Sequence, residues 1–431
     1  MEKLRYILEE WFEYETPPLI EREFPYSLLS SSMILSLVGV RRSGKTYLLY
    51  QLVNILKKDI PSLNIIYLNF EDIRLYPLTG EELKILVDVY KQNFSYNSKK
   101  PIYLLLDEIQ NIPLWEKTIR SLYDRYKDLR IIITGSSSQL LSSEIATSLR
   151  GRTLTYKVFP FSFKEFLKVK NIDFEVKNIK YSPKRNYIIK SLKEYIEFGG
   201  FPQVVLEEKN KTEILKEYYL TILYRDIVER YRIKNLRLFE NFFKIITQNI
   251  SSLFSYGKIL NLFKSMGFKM SKNTLIEYMR YIESSFFAFE VSIFSFNIKD
   301  QLQYPRKIYI IDTGLRNAVS FRASYDFGKL AENLVFLELK RQDLEIYYWK
   351  NNQNYEVDFL IKESLKVKEL IQVCWKIEDE KTQKREIRSL LKAMDEFKIK
   401  EGLIITEEYD DIKEINNKRI VFKPLWQWLI L

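Results

Sequence analysis

Met33-Ile34-Leu35-Ser36-Leu37-Val38-Gly39-Val40-Arg41-Arg42-Ser43-Gly44-Lys45-Thr46-Tyr47 is the stretch on which the reading of this chain turns. Residues 33–38 form an apolar run, broken by Ser36 alone, of the kind found in a buried strand, and 47–58 have helical periodicity. Between them, residues 39–46 fit G-x-x-x-x-G-K-[ST]. A strand before and a helix after distinguish such a match from a chance glycine-rich turn. Backbone N–H groups of the loop and the helix N-terminus are expected to cradle the phosphates of ATP. Lys45 is expected to bridge the β- and γ-phosphates, and the Thr46 hydroxyl to ligate Mg2+. The cofactor-binding set is Gly39, Arg42, Ser43, Gly44, Lys45, Thr46 and Tyr47.

Further apolar runs lie at 64–70, 102–106, 130–134 and 153–158, with helical patterns between them. Continuous apolar strands alternating with helices predict a parallel sheet covered on both faces. The run Leu104-Leu105-Leu106 ends in Asp107-Glu108, which places two carboxylates at the carboxyl edge of that sheet, where ligands bind. Asp107 is expected to hold Mg2+ through water, and Glu108 to polarise the attacking water. The fourth strand ends in Thr134-Gly135-Ser136-Ser137-Ser138. A small polar side chain there can position water or sense the γ-phosphate; Ser136 is the first choice, Ser137 the second, and a plain polar turn the alternative. Arg150 and Arg152, in Leu149-Arg150-Gly151-Arg152, are candidates for an arginine finger reaching a neighbouring subunit's nucleotide. The alternative is an ordinary surface arginine pair.

These stretches, together with Asp107-Glu108-Ile109-Gln110, Phe159-Pro160-Phe161-Ser162-Phe163-Lys164-Glu165-Phe166, Gly199-Gly200-Phe201-Pro202 and Tyr224-Arg225-Asp226-Ile227-Val228-Glu229-Arg230, resemble an archaeal and bacterial AAA-type ATPase family whose C-terminal domain is uncharacterised. The resemblance covers most of the chain. It implies AAA+ architecture, ATP hydrolysis and a homo-oligomer such as a hexameric ring, but no single substrate.

Composition sets outer limits. The chain has 431 residues with 46% hydrophobic content, enough for several domains. It contains no histidine, which excludes Ser-His-Asp and Cys-His catalysis and His-ligated zinc. Its one cysteine, Cys374, cannot form an intrachain disulfide, which fits a reducing, cytoplasmic location. No apolar run reaches the length of a membrane span. The net charge of +11 fits an anionic partner, most often nucleic acid, and equally fits a lysine-rich solvated surface.

The expected fold is α/β in four parts: an AAA+ P-loop sheet over 1–160, a helical lid over 161–239, a winged-helix domain over 240–324 and a small nuclease-like α/β domain over 325–431. Three helical patterns (240–249, 257–266 and 272–284) lead into aromatic β-like runs ending at 306–312, which is the order of a winged helix. Lys269, Lys272, Asn273 and Arg280 are the candidate DNA contacts, with Leu275, Ile276 and Met279 toward the core. Such a domain can instead serve protein contacts. In the last segment Glu332, Asp358 and Gln372 resemble the ligand set of a PD-(D/E)XK nuclease. The position of that fold's lysine is Cys374, so a degenerate binding fold is favoured over an active nuclease. Lys376, just past the strand end, and Lys350, on a neighbouring strand, are the alternative lysines. The run 402–405 is read as the last strand. The leading functional expectation is a DNA-dependent ATPase acting on duplex or branched DNA; the alternatives are an ATP-controlled nuclease and a nucleotide-dependent switch that binds protein.

Overall fold

A computed structural model describes residues 2–136, 149, 151–172, 182–320, 326–377 and 379–430. Ser137 and Arg150 fall outside this set, as does the side chain of Ser136. The chain divides into two compact units, Met1–Pro160 and Phe161–Leu431. Among the described residues no helix is long and apolar enough to cross a membrane.

The first unit is built on five parallel strands: β1 (Ile34–Gly39), β2 (Ile65–Asn69), β3 (Ile102–Asp107), β4 (Leu129–Ser136) and β5 (Thr153–Lys157). Their order in the sheet is β2-β3-β4-β1-β5. Every residue of β1 and β3 is buried, as an apolar run without alternation requires when helices cover both faces. β5 is only half-buried and lies at the sheet edge. The helix Glu2–Glu13 is fastened to the sheet by Trp11, whose Nε1 donates to the Ile65 carbonyl at 2.8 Å. In a parallel sheet all carboxyl ends lie on one edge, and here that edge carries Gly39, Asn69, Asp107 and Ser136.

The second unit opens with helices, among them Phe163–Val169, Lys184–Phe198 and Lys211–Thr221. The turn Gly199-Gly200 is explained by Asp312. That carboxylate accepts from the Gly200 N–H at 2.7 Å and from the Gly314 N–H at 2.9 Å, capping the helix Thr313–Val319. Gly199 has φ +74°, and a Cβ there would stand 1.9 Å from Asp312 Oδ1, so both backbone conformation and space call for glycine.

Next come the helix Leu236–Gln248, β6 (Leu253–Phe254), the helices Tyr256–Ser265 and Lys272–Ser284, β7 (Ala288–Val291) and β8 (Arg306–Ile310). The three strands form an antiparallel sheet in the order β6-β8-β7. Ser271 caps Lys272–Ser284, its Oγ accepting from the Thr274 N–H at 3.2 Å. One expectation fails there: Ile276 is 43% exposed. Leu275, Tyr278, Met279 and Ile282 form the buried i, i+3, i+4, i+7 stripe, and Ile276 lies about 100° off it.

The C-terminal part holds the helix Phe327–Arg341 and a six-stranded mixed sheet. Its strands are β9 (Glu345–Lys350), β10 (Glu356–Glu363), β11 (Lys366–Val373), β12 (Glu401–Thr406), β13 (Asp411–Ile415) and β14 (Lys418–Pro424), in the order β13-β14-β12-β11-β10-β9. The run 402–405 is therefore not the last strand. β13 has no buried residue, so it lacks an apolar signature, and the β13–β14 hairpin turns on Asn416-Asn417, both at positive φ. That is the asparagine chemistry of a tight hairpin. The helix Glu380–Phe397 packs its Leu390, Ala393 and Met394 into the core under this sheet.

Candidate functional site

At the carboxyl edge of the first sheet the loop after β1 turns into the helix Lys45–Leu56. Gly44 takes φ +93° as that helix begins, and Arg42 also has a positive φ of 68°. Lys45 is buried, and its Nζ donates to the carbonyls of Gly39 (3.1 Å) and Val40 (3.2 Å). The Ser43 Oγ is buried and has no hydrogen-bond partner. The loop is braced from behind by Arg22, whose guanidinium donates to the Ser43 carbonyl at 2.9 Å and the Phe159 carbonyl at 2.7 Å. Tyr47 is largely exposed and sits edge-on to Tyr50, 6.0 Å between ring centroids.

Asp107 is fully buried and acts only as an acceptor. Thr46 Oγ1 donates to its Oδ2 at 2.7 Å, Tyr67 Oη to the same oxygen at 3.0 Å, and Thr134 Oγ1 to Oδ1. Burial pushes the Asp107 carboxyl above the usual carboxylate range, and the hydroxyl donors pull it back. Thr134 serves two neighbours, because its oxygen also accepts from the Glu108 N–H at 3.0 Å. Glu108 itself sits in the left-handed region, φ 54°, with its carboxylate accepting from Gln110 Nε2. The structure brings Thr46, Asp107 and Glu108 together through hydrogen bonds to Asp107 and Thr134, with Lys45 next in sequence to Thr46.

Thr134 and Tyr67 were not foreseen. The expected polar residue at the end of the fourth strand is Ser136, whereas the hydroxyl bonded to Asp107 belongs to Thr134, two residues earlier on β4. Tyr67 is reached only through the pairing of β2 with β3. Arg152 is engaged locally, its Nε 3.2 Å from Asp124 Oδ1.

The loop fits a nucleotide and Mg2+. A buried lysine that donates to two loop carbonyls, an orphan serine hydroxyl and a buried carboxylate bonded to Thr46 form the donor set such a group requires.

In the second unit Glu332, Asp358 and Gln372 do converge. Gln372 Oε1 accepts from the Asp358 N–H at 3.1 Å, and Asp358 Oδ2 accepts from the Val373 N–H at 2.8 Å. Their cation is a lysine from another strand. Lys307 on β8 places Nζ 2.7 Å from Asp358, 3.2 Å from Glu332 and 3.0 Å from Glu356, with its side chain 3% exposed. Tyr309, on the same face of β8, donates to Glu332 at 2.6 Å. The alternatives named from sequence are placed elsewhere: Lys350 reaches only Glu356, at 3.3 Å, and Lys376 is exposed. Cys374 is buried, its thiol pushed up to about 12 by desolvation. The signal for Lys307 was a lysine alternating with tyrosine inside an apolar strand run. Among the described residues no group of three or more metal-ligating side chains could hold a metal ion.

An AAA domain model matches residues 31–167. Two domains of unknown function, DUF8612 and DUF4143, match 189–326 and 327–428. An uncharacterised protein of Methanocaldococcus jannaschii is 38% identical over 421 residues, covering 95% of this chain and 91% of that one. One of Haemophilus influenzae is 31% identical over 391 residues, covering 90% and 92%. The chain belongs to this family of AAA-type P-loop ATPases. Among solved structures it is similar to a Walker-type ATPase of Pyrococcus abyssi (16% identical, TM-score 0.44, covering 74% of this chain and 94% of that one). It is also similar to Cdc6p of Pyrobaculum aerophilum (12% identical, TM-score 0.29, covering 65% and 91%).

Proposed function

We propose that this chain hydrolyses ATP and uses the energy to move or remodel duplex or branched DNA, working as a homo-oligomer. The single observation that carries hydrolysis is the fixing of Asp107 and Glu108 together through Thr134, beside Thr46 and the P-loop. Mg2+, when bound, would offset charge on the phosphates, held by Thr46 directly and by Asp107 through water. Lys45 exchanges its two carbonyl partners for the β- and γ-phosphates. Glu108 takes a proton from the attacking water as that water's oxygen bonds to phosphorus and the bond to ADP breaks. Ser136 is assigned to the γ-phosphate, and Arg150 or Arg152 to the neighbouring subunit's nucleotide.

The DNA reading rests on the middle domain. Its order of helix, strand, two helices and strand, then the short helix Ile298–Gln303 and a last strand, with sheet order β6-β8-β7, supports a winged-helix reading. Lys269, Lys272, Asn273 and Arg280 are exposed along its capped helix and the approach to it. The nuclease alternative is disfavoured by Lys307, whose ammonium sits on the acids a metal would need.

The test is the ATPase rate across duplex, single-stranded and junction DNA at low salt. Stimulation by at least one form is expected, and indifference to all of them refutes the DNA reading. Glu108→Gln is the control: it should bind ATP while kcat falls by about 10²–10⁴-fold. Wild-type turnover in that variant would refute the assignment of Glu108.

A further inference from the structure

The helix Glu380–Phe397 carries five cations on one side: Lys381, Lys384, Arg385, Arg388 and Lys392. At about 100° per residue they fall within an arc of roughly 100°, and the rise of about 1.5 Å per residue spreads them over about 17 Å. All five are exposed. The opposite side of the helix is committed to the fold through Leu390, Ala393, Met394 and Glu386, which accepts from Gln372 Nε2 at 2.7 Å.

The stripe is only partly neutralised. Lys384 pairs with Glu380 at 2.5 Å, and Arg385 with the buried Glu386 at 2.6 Å. Lys381, Arg388 and Lys392 have no carboxylate partner among the described residues. Asp395, the next residue along this face, is taken by Lys418. Between the stripe and the start of β10 lies an open cleft whose walls include Tyr355, Lys381, Arg385 and Arg388.

We infer that this face is a second DNA-contact surface, a ladder of cations for the phosphate backbone of a duplex. The inference rests on the DNA-binding reading above. Charge complementarity selects the occupant: about 17 Å of duplex presents about ten phosphates to five cations. A membrane surface is a poor match, because the apolar side such a helix would insert is already buried in the core. The contacts are to phosphates, so they supply affinity and register without sequence preference.

The experiment is binding of full-length protein to a labelled 30-base-pair duplex over a series of salt concentrations. The test variant is Lys381→Gln/Arg388→Gln/Lys392→Gln, which leaves both ion pairs intact. Removing three phosphate contacts should reduce the slope of log K against log salt by about three and weaken binding at low salt. Lys57→Gln/Lys58→Gln, both exposed in the first unit, controls for net charge and should leave the slope unchanged. Lys269→Gln/Lys272→Gln/Arg280→Gln tests the middle domain separately. If the helix variant keeps the wild-type slope while the middle-domain variant loses affinity, the inference falls and the DNA reading stands. If wild-type protein binds no duplex, both fall. Equal loss in the net-charge control also overturns the inference, as does a helix variant that loses affinity for an acidic peptide or anionic vesicles but not for duplex.

Discussion

Two buried carboxylate sites in this chain satisfy their charge in opposite ways. Asp107 is held by hydroxyls alone, from Thr46, Tyr67 and Thr134, and Lys45 in the same site rests on carbonyls. In the second unit Glu332, Glu356 and Asp358 share the Lys307 ammonium directly. A hydroxyl orients a carboxylate and leaves its charge in place. A carboxylate offers about four lone-pair sites, and the three hydroxyl donors leave one on Asp107 Oδ1. The Lys307 ammonium offsets only part of the charge of three acids, but it occupies the oxygens that a metal would need. The two acid sites thus differ in which side chains supply their hydrogen bonds.

The largest expected effect tests the second half of this contrast. Lys307→Ala leaves buried acids without their cation and should cost about 3–5 kcal/mol in urea unfolding of the second unit. A loss below 1 kcal/mol would break the comparison. Next, Tyr67→Phe removes one donor from Asp107 with little change in shape. Half-saturation by Mg2+ in the ATPase assay should rise about tenfold, with Mg2+-free ATP binding retained. An unchanged Mg2+ curve would mean that Thr46 and Thr134 suffice. The smallest effect belongs to Lys350→Ala. Its ion pair with Glu356 is half-exposed, so stability should fall by about 0.2–1 kcal/mol, and a larger loss would widen the cluster beyond Lys307.

What the sequence disclosed follows the range of each interaction. β1, β3 and the P-loop were legible because strand, loop and helix are contiguous and each has its own pattern. Asp107 and Glu108 were legible because they end an apolar run. Tyr67 and Lys307 were not, because their partners lie 40 and at least 25 residues away, and only strand pairing and helix packing bring them together. Cys374 drew attention as the expected lysine position, while the ammonium came from a strand assigned to the preceding domain. β13 escaped because a surface strand carries no apolar stripe, although Asn416-Asn417 marked its hairpin. Ile276 was placed inward by hydrophobicity, and the helical period put it outside.

Lys307 also separates the two units in their dependence on supply. A cation that is part of the chain cannot be diluted, chelated or exchanged. On the proposed reading, a chelator such as EDTA would withdraw the ion of the P-loop site and leave the Lys307 ion pairs in place. The P-loop site so read draws its cation from solution, while the acids of the second unit have theirs in the chain.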